Sequence, residues 1–176
     1  MVKAYKFRLY PTTQQKELML KTFGCVRFVY NQTLAARRDA YDKNKRSLSA
    51  NDCVKMLPGL KEQYPWLREV DSTALQSSVK NMGKAYENFF HGLKKQQGPK
   101  AGFPKFKAKH HSKASYTSKM SIFVGDSAVK LPKLAWVKAK ISTPLTAPTN
   151  KFVGFQVGDL WGHHGAIASR YSGEHG

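Results

Sequence analysis

The spacing of apolar residues changes twice along the chain. Near the N-terminus, Tyr5, Phe7 and Leu9 alternate with Lys6 and Arg8, which predicts a strand with one apolar and one basic face. After residue 113 short strand-like patterns return, with Gly125 to Ser127 as a hairpin turn. These later strands are predicted at Ser115–Thr117, Ser121–Val124, Ala128–Leu131 and Trp136–Ile141.

Between the strand regions, apolar residues recur at helical spacing. Thr12 with Gln15 forms a capping box, and Gly24 is expected to end the first helix. Asp71 or Ser72 is expected to cap the longest helix, which carries apolar residues over five turns. Helices are predicted from Thr12 to Gly24, from Cys25 to Asp42, from Ser49 to about Gln63, and from Asp71 to about Leu93.

One strand, four helices and several strands follow each other in this order. The pattern predicts an α+β fold, in which a helical bundle is inserted after the first strand of a small β-barrel-like domain. Residues 1–11 and 94–141 would form the β-domain, residues 12–93 the bundle, and residues 142–176 a separate tail.

Composition narrows the class of protein. The 176 residues include 30 Lys and Arg against 11 Asp and Glu, a formal net charge of +19, and 41% are hydrophobic. A chain of this charge needs a polyanionic partner, and nucleic acid is the commonest. No run of about 18 apolar residues occurs, so no membrane partner is expected. Cys25 and Cys53 are too few for a disulfide framework, which favours a cytoplasmic location.

The positive charge is unevenly distributed. Residues 1–87 carry 16 basic and 8 acidic side chains, residues 88–140 carry 12 basic and one acidic, and residues 141–176 carry two of each. The densest part is residues 94–113, called here the basic segment, which contains no acidic residue. It is expected to follow a phosphate backbone. Its candidate binding residues are Lys94, Lys95, Lys105, Lys107, Lys109 and Lys113.

Aromatic residues accompany these lysines. Phe103, Phe106 and Tyr116 could stack on bases. For the two phenylalanines, packing in the core is the favoured interpretation. Tyr116 is kept among the candidate RNA-binding residues.

Three further groups are candidate contacts with nucleic acid. At the start of the longest helix, Gln can pair with a base edge and a helix N-terminus favours phosphate. On the preceding long helix the candidates are basic residues and an asparagine, which could equally cross-link helices. On the first strand the basic face could bind a backbone. The residues are Ser72, Thr73, Gln76 and Lys80 for DNA, and Arg27, Asn31, Arg37, Arg38, Lys6 and Arg8 for RNA or phosphate.

Many ordered blocks of the sequence resemble one known family. They span residues 1–140 almost without a gap, which is more specific than any single motif. The blocks are Tyr5–Pro11, Gly24–Asn31, Trp66–Asp71, Ala74–Gln76, Ala85–Phe90, Gly102–Lys107, Ser115–Tyr116 and Lys130–Lys138. In these blocks the chain is similar to the TnpB (OrfB) proteins of bacterial and archaeal insertion sequences.

This resemblance implies a specific architecture and function. Members of the family have a WED-type (OB-like) β-domain with an inserted, helix-turn-helix-like recognition lobe. They bind a transposon-derived guide RNA, read a short motif in double-stranded DNA beside the target, and cut with a RuvC nuclease domain. Gln76 matches a position on the helix that helps to read this motif. A prokaryotic, nucleoid-associated monomer is expected.

The sequence departs from the family where catalysis would occur. A RuvC domain needs three carboxylates for two metal ions, whereas only Asp126, Asp159 and Glu174 follow residue 87. Lys151–Gly158 resembles the first RuvC strand, with Gln156 in the place of its first catalytic Asp; a frameshifted tail is the alternative. The expectation is a binding protein truncated before the nuclease, with no catalytic residue. The alternatives are a fragment that supports cleavage with a separate RuvC part, and a non-functional pseudogene product.

No cofactor or metal site is expected. The adjacent pairs His110–His111 and His163–His164 have no carboxylate or thiolate at ligand spacing, and neighbouring side chains on a strand point to opposite faces.

Overall fold

A computed structural model of the chain describes residues 2–95, 98–141, 152–160 and 163–171. Side chains are described in the same ranges, except at residues 2–4, 6, 152–155, 159, 160 and 163–171. The α+β class is confirmed, with helices between the first strand and the remaining strands. The elements are β1 Val2–Tyr10, α1 Thr13–Asn44, α2 Ala50–Val54, α3 Leu57–Gln63, a 3₁₀ helix Pro65–Glu69, α4 Ser72–Lys94, β2 Ser115–Ser118, β3 Phe123–Val124, β4 Ala128–Leu131, β5 Ala135–Lys140, β6 Phe152–Leu160 and β7 His163–Tyr171.

The helix starts follow the predicted caps. Thr12 and Gln15 form the reciprocal capping box that opens α1, and Ser49 with Asp52 does the same for α2. Asp71 accepts a hydrogen bond from the backbone N–H of Thr73 at the start of α4. These starts are set by local hydrogen bonds, and they were therefore visible in the sequence.

The predicted break at Gly24 is wrong. Helix α1 runs without interruption from Thr13 to Asn44. A glycine inside a helix costs about 1 kcal/mol relative to alanine. That cost is small beside the burial of the apolar residues that follow Gly24 on the same helix. They are Cys25, Val26, Val29, Tyr30 and Leu34.

The strands form one antiparallel sheet in the order β2-β6-β7-β1-β5-β4-β3. The predicted closed barrel is not confirmed, because β2 and β3 lie at opposite ends of this order within the described residues. Strands β6 and β7, which come from the segment beyond residue 141, pair with β2 and β1 and so lie inside the sheet. In the described residues, no helix is long and apolar enough to cross a membrane.

The core lies where the helices meet each other and one face of the sheet. Helix α4 contributes its buried stripe, including Leu75, Val79 and Met82, and α1 contributes Met19 and Val29. The Ser78 hydroxyl on α4 donates a hydrogen bond to the backbone carbonyl of Val26 on α1 at 2.6 Å. The two long helices are thereby tied together beside the sheet.

Helices α2 and α4 approach so closely that the contact requires a glycine. A Cβ atom at Gly83 would lie 2.6 Å from the Ala50 Cβ, well inside van der Waals contact. We expect Gly83→Ala to lower the free energy of unfolding by about 1–3 kcal/mol, although alanine is the better helix former. Urea denaturation followed by circular dichroism measures this change.

Gly24→Ala is the matched control, since nothing lies within 4 Å of a Cβ atom at Gly24. It should raise the free energy of unfolding by about 0.5–1 kcal/mol. Equal stabilisation by both substitutions would contradict the close contact between α2 and α4.

Candidate nucleic-acid interface

The basic segment is held against α1 by a side-chain amide. Asn31 accepts a hydrogen bond from the backbone N–H of Lys107 at 2.8 Å and donates one to the Lys107 carbonyl at 3.0 Å. Asn31 is therefore part of the scaffold that positions the lysines. The sequence left open whether it contacts RNA or cross-links elements, and its observed partner is the basic segment itself.

Arg38 also serves this attachment, and the neighbouring Arg37 packs on α4. The Arg38 guanidinium donates a hydrogen bond to the Pro104 carbonyl at 2.5 Å, and it lies 5.1 Å from the ring centroid of Phe103 and 4.7 Å from that of Phe106. The Arg37 guanidinium lies 3.8 Å from the centroid of Tyr86. Both arginines thus stack on aromatic rings, an attraction that does not need an acidic partner.

The preferred interpretation of the two phenylalanines as core residues is wrong. Phe103 and Phe106 are both exposed. Phe103 contacts the edges of Tyr86 and Phe89 on α4, with ring centroids 5.4 Å and 5.2 Å apart. The rings attach the basic segment to the surface of the bundle.

A small polar cleft opens where the basic segment meets α1, α4 and the sheet. Its volume is about 60 Å³. Arg27, Lys107 and Lys113, all predicted contacts, contribute the positive charge of its lining. Its other polar lining residues include Asn81 of α4 and Gln156 of β6.

Lys107 has a distinctive position in this cleft. Its Nζ lies 4.3 Å from the ring centroid of Tyr30, and desolvation by the surrounding protein lowers the pKa of its ammonium group. An anion in the cleft would favour the charged form of Lys107, since an opposite charge offsets the cost of desolvation.

A hydrogen-bond network fixes the start of α4 to β2. The Asp71 carboxylate accepts from the hydroxyls of Thr73 and Ser118, each at 2.6 Å. The Thr73 hydroxyl oxygen in turn accepts from the backbone N–H of Lys119 at 3.2 Å. The hydroxyl of Thr73 is therefore engaged within the protein.

The other predicted DNA contacts on α4 lie at the surface. Ser72, Gln76 and Lys80 are exposed. The Ser72 hydroxyl accepts a hydrogen bond from Lys61 Nζ at 2.6 Å. Gln76 and Ser72 share a shallow groove with three cationic residues and one acidic residue: Lys55, Lys61, Arg68 and Glu62. Cations therefore outnumber the acid around the Gln76 amide.

The residues predicted to contact RNA differ in their exposure to solvent. Arg8 is exposed on β1, and the side chain of Lys6 lies outside the described residues. Tyr116 is 6% exposed and packs on Phe23, and burial raises its pKa, so a base cannot stack on it in this structure. The predicted lysines of the basic segment are all exposed: Lys94, Lys95, Lys105, Lys107, Lys109 and Lys113.

The remaining candidates for metal and thiol chemistry give no site in the described residues. No group of three or more His, Cys, Asp or Glu side chains that could hold a metal ion occurs there. Cys25 is buried, and desolvation raises the pKa of its thiol to about 11. A thiol with such a pKa is a poor nucleophile at neutral pH.

Comparison with known proteins decides the family. Residues 1–46 match the family model of the IS605 OrfB protein that is described as a helix-turn-helix domain. The chain is 37% identical to virulence protein VsdF of Salmonella dublin over 119 residues, which are 62% of this chain and 96% of VsdF. The chain belongs to the TnpB (OrfB) family.

Two longer relatives carry names that state a function. A putative RNA-guided DNA endonuclease, InsQ of Escherichia coli K12, is 30% identical over 148 residues, which are 82% of this chain and 35% of InsQ. A second protein with that description, from Streptomyces pristinaespiralis, is 33% identical over 123 residues, 69% of this chain and 29% of the relative. The matched parts thus span about a third of each of these two relatives.

The residues that match the helix-turn-helix family model do not themselves form two helices joined by a turn. Residues 1–46 contain β1 and the continuous helix α1. Helix α1 ends where Lys45 adopts a left-handed backbone conformation, with φ at 54°, and the next described helix, α2, begins at Ala50.

Asn81 and Gln156 line the cleft but were not among the predicted binding residues; Gln156 was singled out only for its place in a RuvC-like strand. Asn81 lies on the polar side of α4 without a motif, and it joins the cleft because the basic segment folds back beside it. Gln156 reaches the cleft because β6 pairs with β2, with Gln156 opposite Thr117. Neither apolar periodicity nor turn residues indicate that strand pairing.

We predict that Asn31→Leu, which keeps the side-chain volume and removes both hydrogen bonds, loosens the basic segment. Each of these hydrogen bonds is worth about 1 kcal/mol. Trypsin should then cut after Lys105, Lys107 or Lys109 several times faster, as measured by limited proteolysis with mass spectrometry.

Gln14→Leu, at an exposed position of the same helix, is the control and should leave the cleavage rate unchanged. An unchanged rate in Asn31→Leu, with the fold intact by circular dichroism, would show that Asn31 does not anchor the segment.

Proposed function

We propose that this chain binds guide RNA and target-adjacent double-stranded DNA, as the nucleic-acid-binding part of a TnpB-like RNA-guided DNA endonuclease. The observation that carries the proposal is the way the basic segment is attached. Its contacts use backbone groups, an amide and aromatic rings, so the exposed lysines are left for phosphates. The names of the two longer relatives supply the classes of nucleic acid.

The RNA would follow the basic segment into the cleft. Lys105 and Lys109 are exposed along the segment, and Arg27, Lys107 and Lys113 line the cleft. Neutralised phosphates release counterions, so this surface would contribute salt-dependent affinity.

The DNA would contact the exposed side of α4. Gln76 can pair with an adenine edge through two hydrogen bonds, and Lys80 can neutralise a phosphate. Thr73 would act indirectly, by holding the start of α4 against β2.

Several finer features belong to the same proposal. The sheet would correspond to a WED-type domain, with residues 12–93 as the recognition lobe, acting as a cytoplasmic monomer that meets the nucleoid when bound to DNA. The 176 residues would bind without cutting. Three acidic residues follow residue 87, and Gln156 stands where the family resemblance places the first catalytic carboxylate.

Replacing Lys105, Lys109 and Lys113 together by glutamine should weaken binding to a mixed-sequence, single-stranded RNA. The slope of log K against log salt should become shallower by about 0.7 for each phosphate that the chain no longer neutralises. Fluorescence anisotropy over a salt series measures both effects.

The matched control removes the same charge elsewhere, by replacing the exposed Lys16, Lys43 and Lys84 with glutamine. Its salt slope should stay closer to that of the unmodified chain. Equal slopes for the two triple variants would show that total charge, and not the basic segment, determines binding.

Gln76→Ala should relax the preference among DNA sequences. One bidentate contact contributes about 1–3 kcal/mol of discrimination between bases. Selection from a randomised duplex library with each variant, followed by sequencing, should show reduced information at one or two positions.

Two further variants serve as controls for the Gln76→Ala experiment. Gln63→Ala, at an exposed position outside α4, should select the same motif as the unmodified chain. Lys80→Gln should weaken binding to all duplexes alike. A motif unchanged by Gln76→Ala would refute base reading by this residue.

A further inference from the structure

The solvent-facing side of β1, β5, β4 and β3 carries Arg8, a predicted phosphate contact, together with exposed residues that no predicted site includes. Alternate residues on these strands point into the core, including Leu9, Val129 and Val137. Among the intervening residues whose side chains are described, Ala128 is half-buried and the others are exposed and either aromatic or basic. We call them the outer sheet face: Arg8, Tyr10, Phe123, Lys130, Trp136, Lys138 and Lys140.

The strand register arranges these side chains in rows across the sheet. Phe123 pairs with Lys130, and Lys130 pairs with Trp136, so these three form one row across three strands. In the next row Lys138 lies beside Tyr10, and beyond it Lys140 lies beside Arg8. Neighbouring strands are about 4.8 Å apart, and alternate residues along a strand about 6.7 Å. Each ring of this face therefore has a cation as a near neighbour, whereas Lys140 and Arg8 form a purely basic row. Lys130 Nζ lies 5.6 Å from the ring centroid of Phe123.

The aromatic rings of this face are exposed, and that of Trp136 is held in place by its neighbours. Trp136 is 51% exposed, Tyr10 46% and Phe123 41%. A Cβ atom at Gly125 would lie 3.4 Å from the Trp136 ring, so that ring packs on the β3–β4 turn. Gln15 donates hydrogen bonds to the backbone carbonyls of Leu134 and Trp136 at 3.0 Å and 2.9 Å, which fixes the start of β5 on α1.

We infer that the outer sheet face binds single-stranded RNA, with unpaired bases stacked on Trp136 and Phe123 and phosphates beside Lys130, Lys138, Lys140 and Arg8. The four charged residues of this face are all basic. An exposed ring can stack on a base whose own face is free, which is the case in single strands and not inside a duplex.

This inference rests on the proposed function, because the choice of RNA follows from it. The outer sheet face is formed by other residues than the basic segment and the cleft. It would therefore give the same RNA a second contact, one that recognises unpaired nucleotides.

The test uses the full chain and a short fluorescein-labelled oligouridine. The double variant Phe123→Leu with Trp136→Leu keeps apolar side chains on the sheet and removes both rings. Binding should weaken by about tenfold or more, since stacking contributes roughly 1–3 kcal/mol per base. The salt slope should remain unchanged, because every cation is retained. Lys138→Gln with Lys140→Gln should instead make the slope shallower.

Controls separate the removal of rings from a failure to fold. Phe90→Leu removes an exposed aromatic ring on α4 and should bind oligouridine like the unmodified chain. Thermal melts establish that each variant folds. A double-stranded RNA should bind the ring variant and the unmodified chain equally.

The outcomes distinguish this inference from the proposed function. Unchanged oligouridine affinity in a folded ring variant, together with weakened binding in the basic-segment variant, overturns the stacking face and leaves the proposed function intact. An equal loss of duplex binding, or tighter binding of oligothymidine DNA than of oligouridine, also overturns it. An unmodified chain that binds RNA without salt dependence overturns both.

Discussion

The arrangement of this protein depends on holding a segment of like charges in place without acidic partners. Seven lysines lie in residues 94–113, where no Asp or Glu occurs. Among the described residues, the ion pairs are Lys21–Glu69, Lys43–Asp39 and Lys84–Glu87, all outside this segment. The segment is attached by the Asn31 amide, the Arg38 guanidinium and aromatic rings instead. Such contacts fix the backbone without neutralising the ammonium groups.

Helix α4 determines where this attachment takes place. Its start is tied to β2 through Asp71, and its middle contacts α2 at Gly83. In its last turn, the basic segment that follows the helix passes close to the helix backbone. A Cβ atom at Gly92 would lie 3.2 Å from the backbone nitrogen of Ala101. One rigid helix therefore orients both the exposed edge around Gln76 and the side on which the basic segment lies.

Sequence reasoning succeeded where the deciding interaction is local. The caps at Thr12, Ser49 and Asp71 are formed by residues two or three positions apart. Thr12 and Ser49 stand at predicted helix starts, and Asp71 was one of two candidate caps of the longest helix. It failed at Gly24, where a local preference was outweighed by long-range burial. The role of Asn31 could not be predicted either, because its partner Lys107 is 76 positions away.

The aromatic residues show the same limit. Periodicity distinguishes apolar from polar positions, but it does not distinguish a ring in the core from a ring that faces a guanidinium. Tyr116 was expected at the surface and is buried, whereas Phe103 and Phe106 were expected in the core and are exposed. In each case a residue from another element determines where the ring packs. Tyr116 packs on Phe23, and the two phenylalanines face Arg38.

The electrostatics of the cleft bear on what it can bind. Strand β6 brings Gln156 beside Arg27, Lys107 and Lys113. Three cationic side chains repel a divalent metal ion, and an amide adds no charge to offset them. A carboxylate at this position would neutralise part of the positive potential and compete with a phosphate for the same cations. The neutral amide keeps the cleft positive while it can donate a hydrogen bond to a phosphate oxygen. The residues that line this cleft thus favour an anion over a metal ion, in agreement with a binding role.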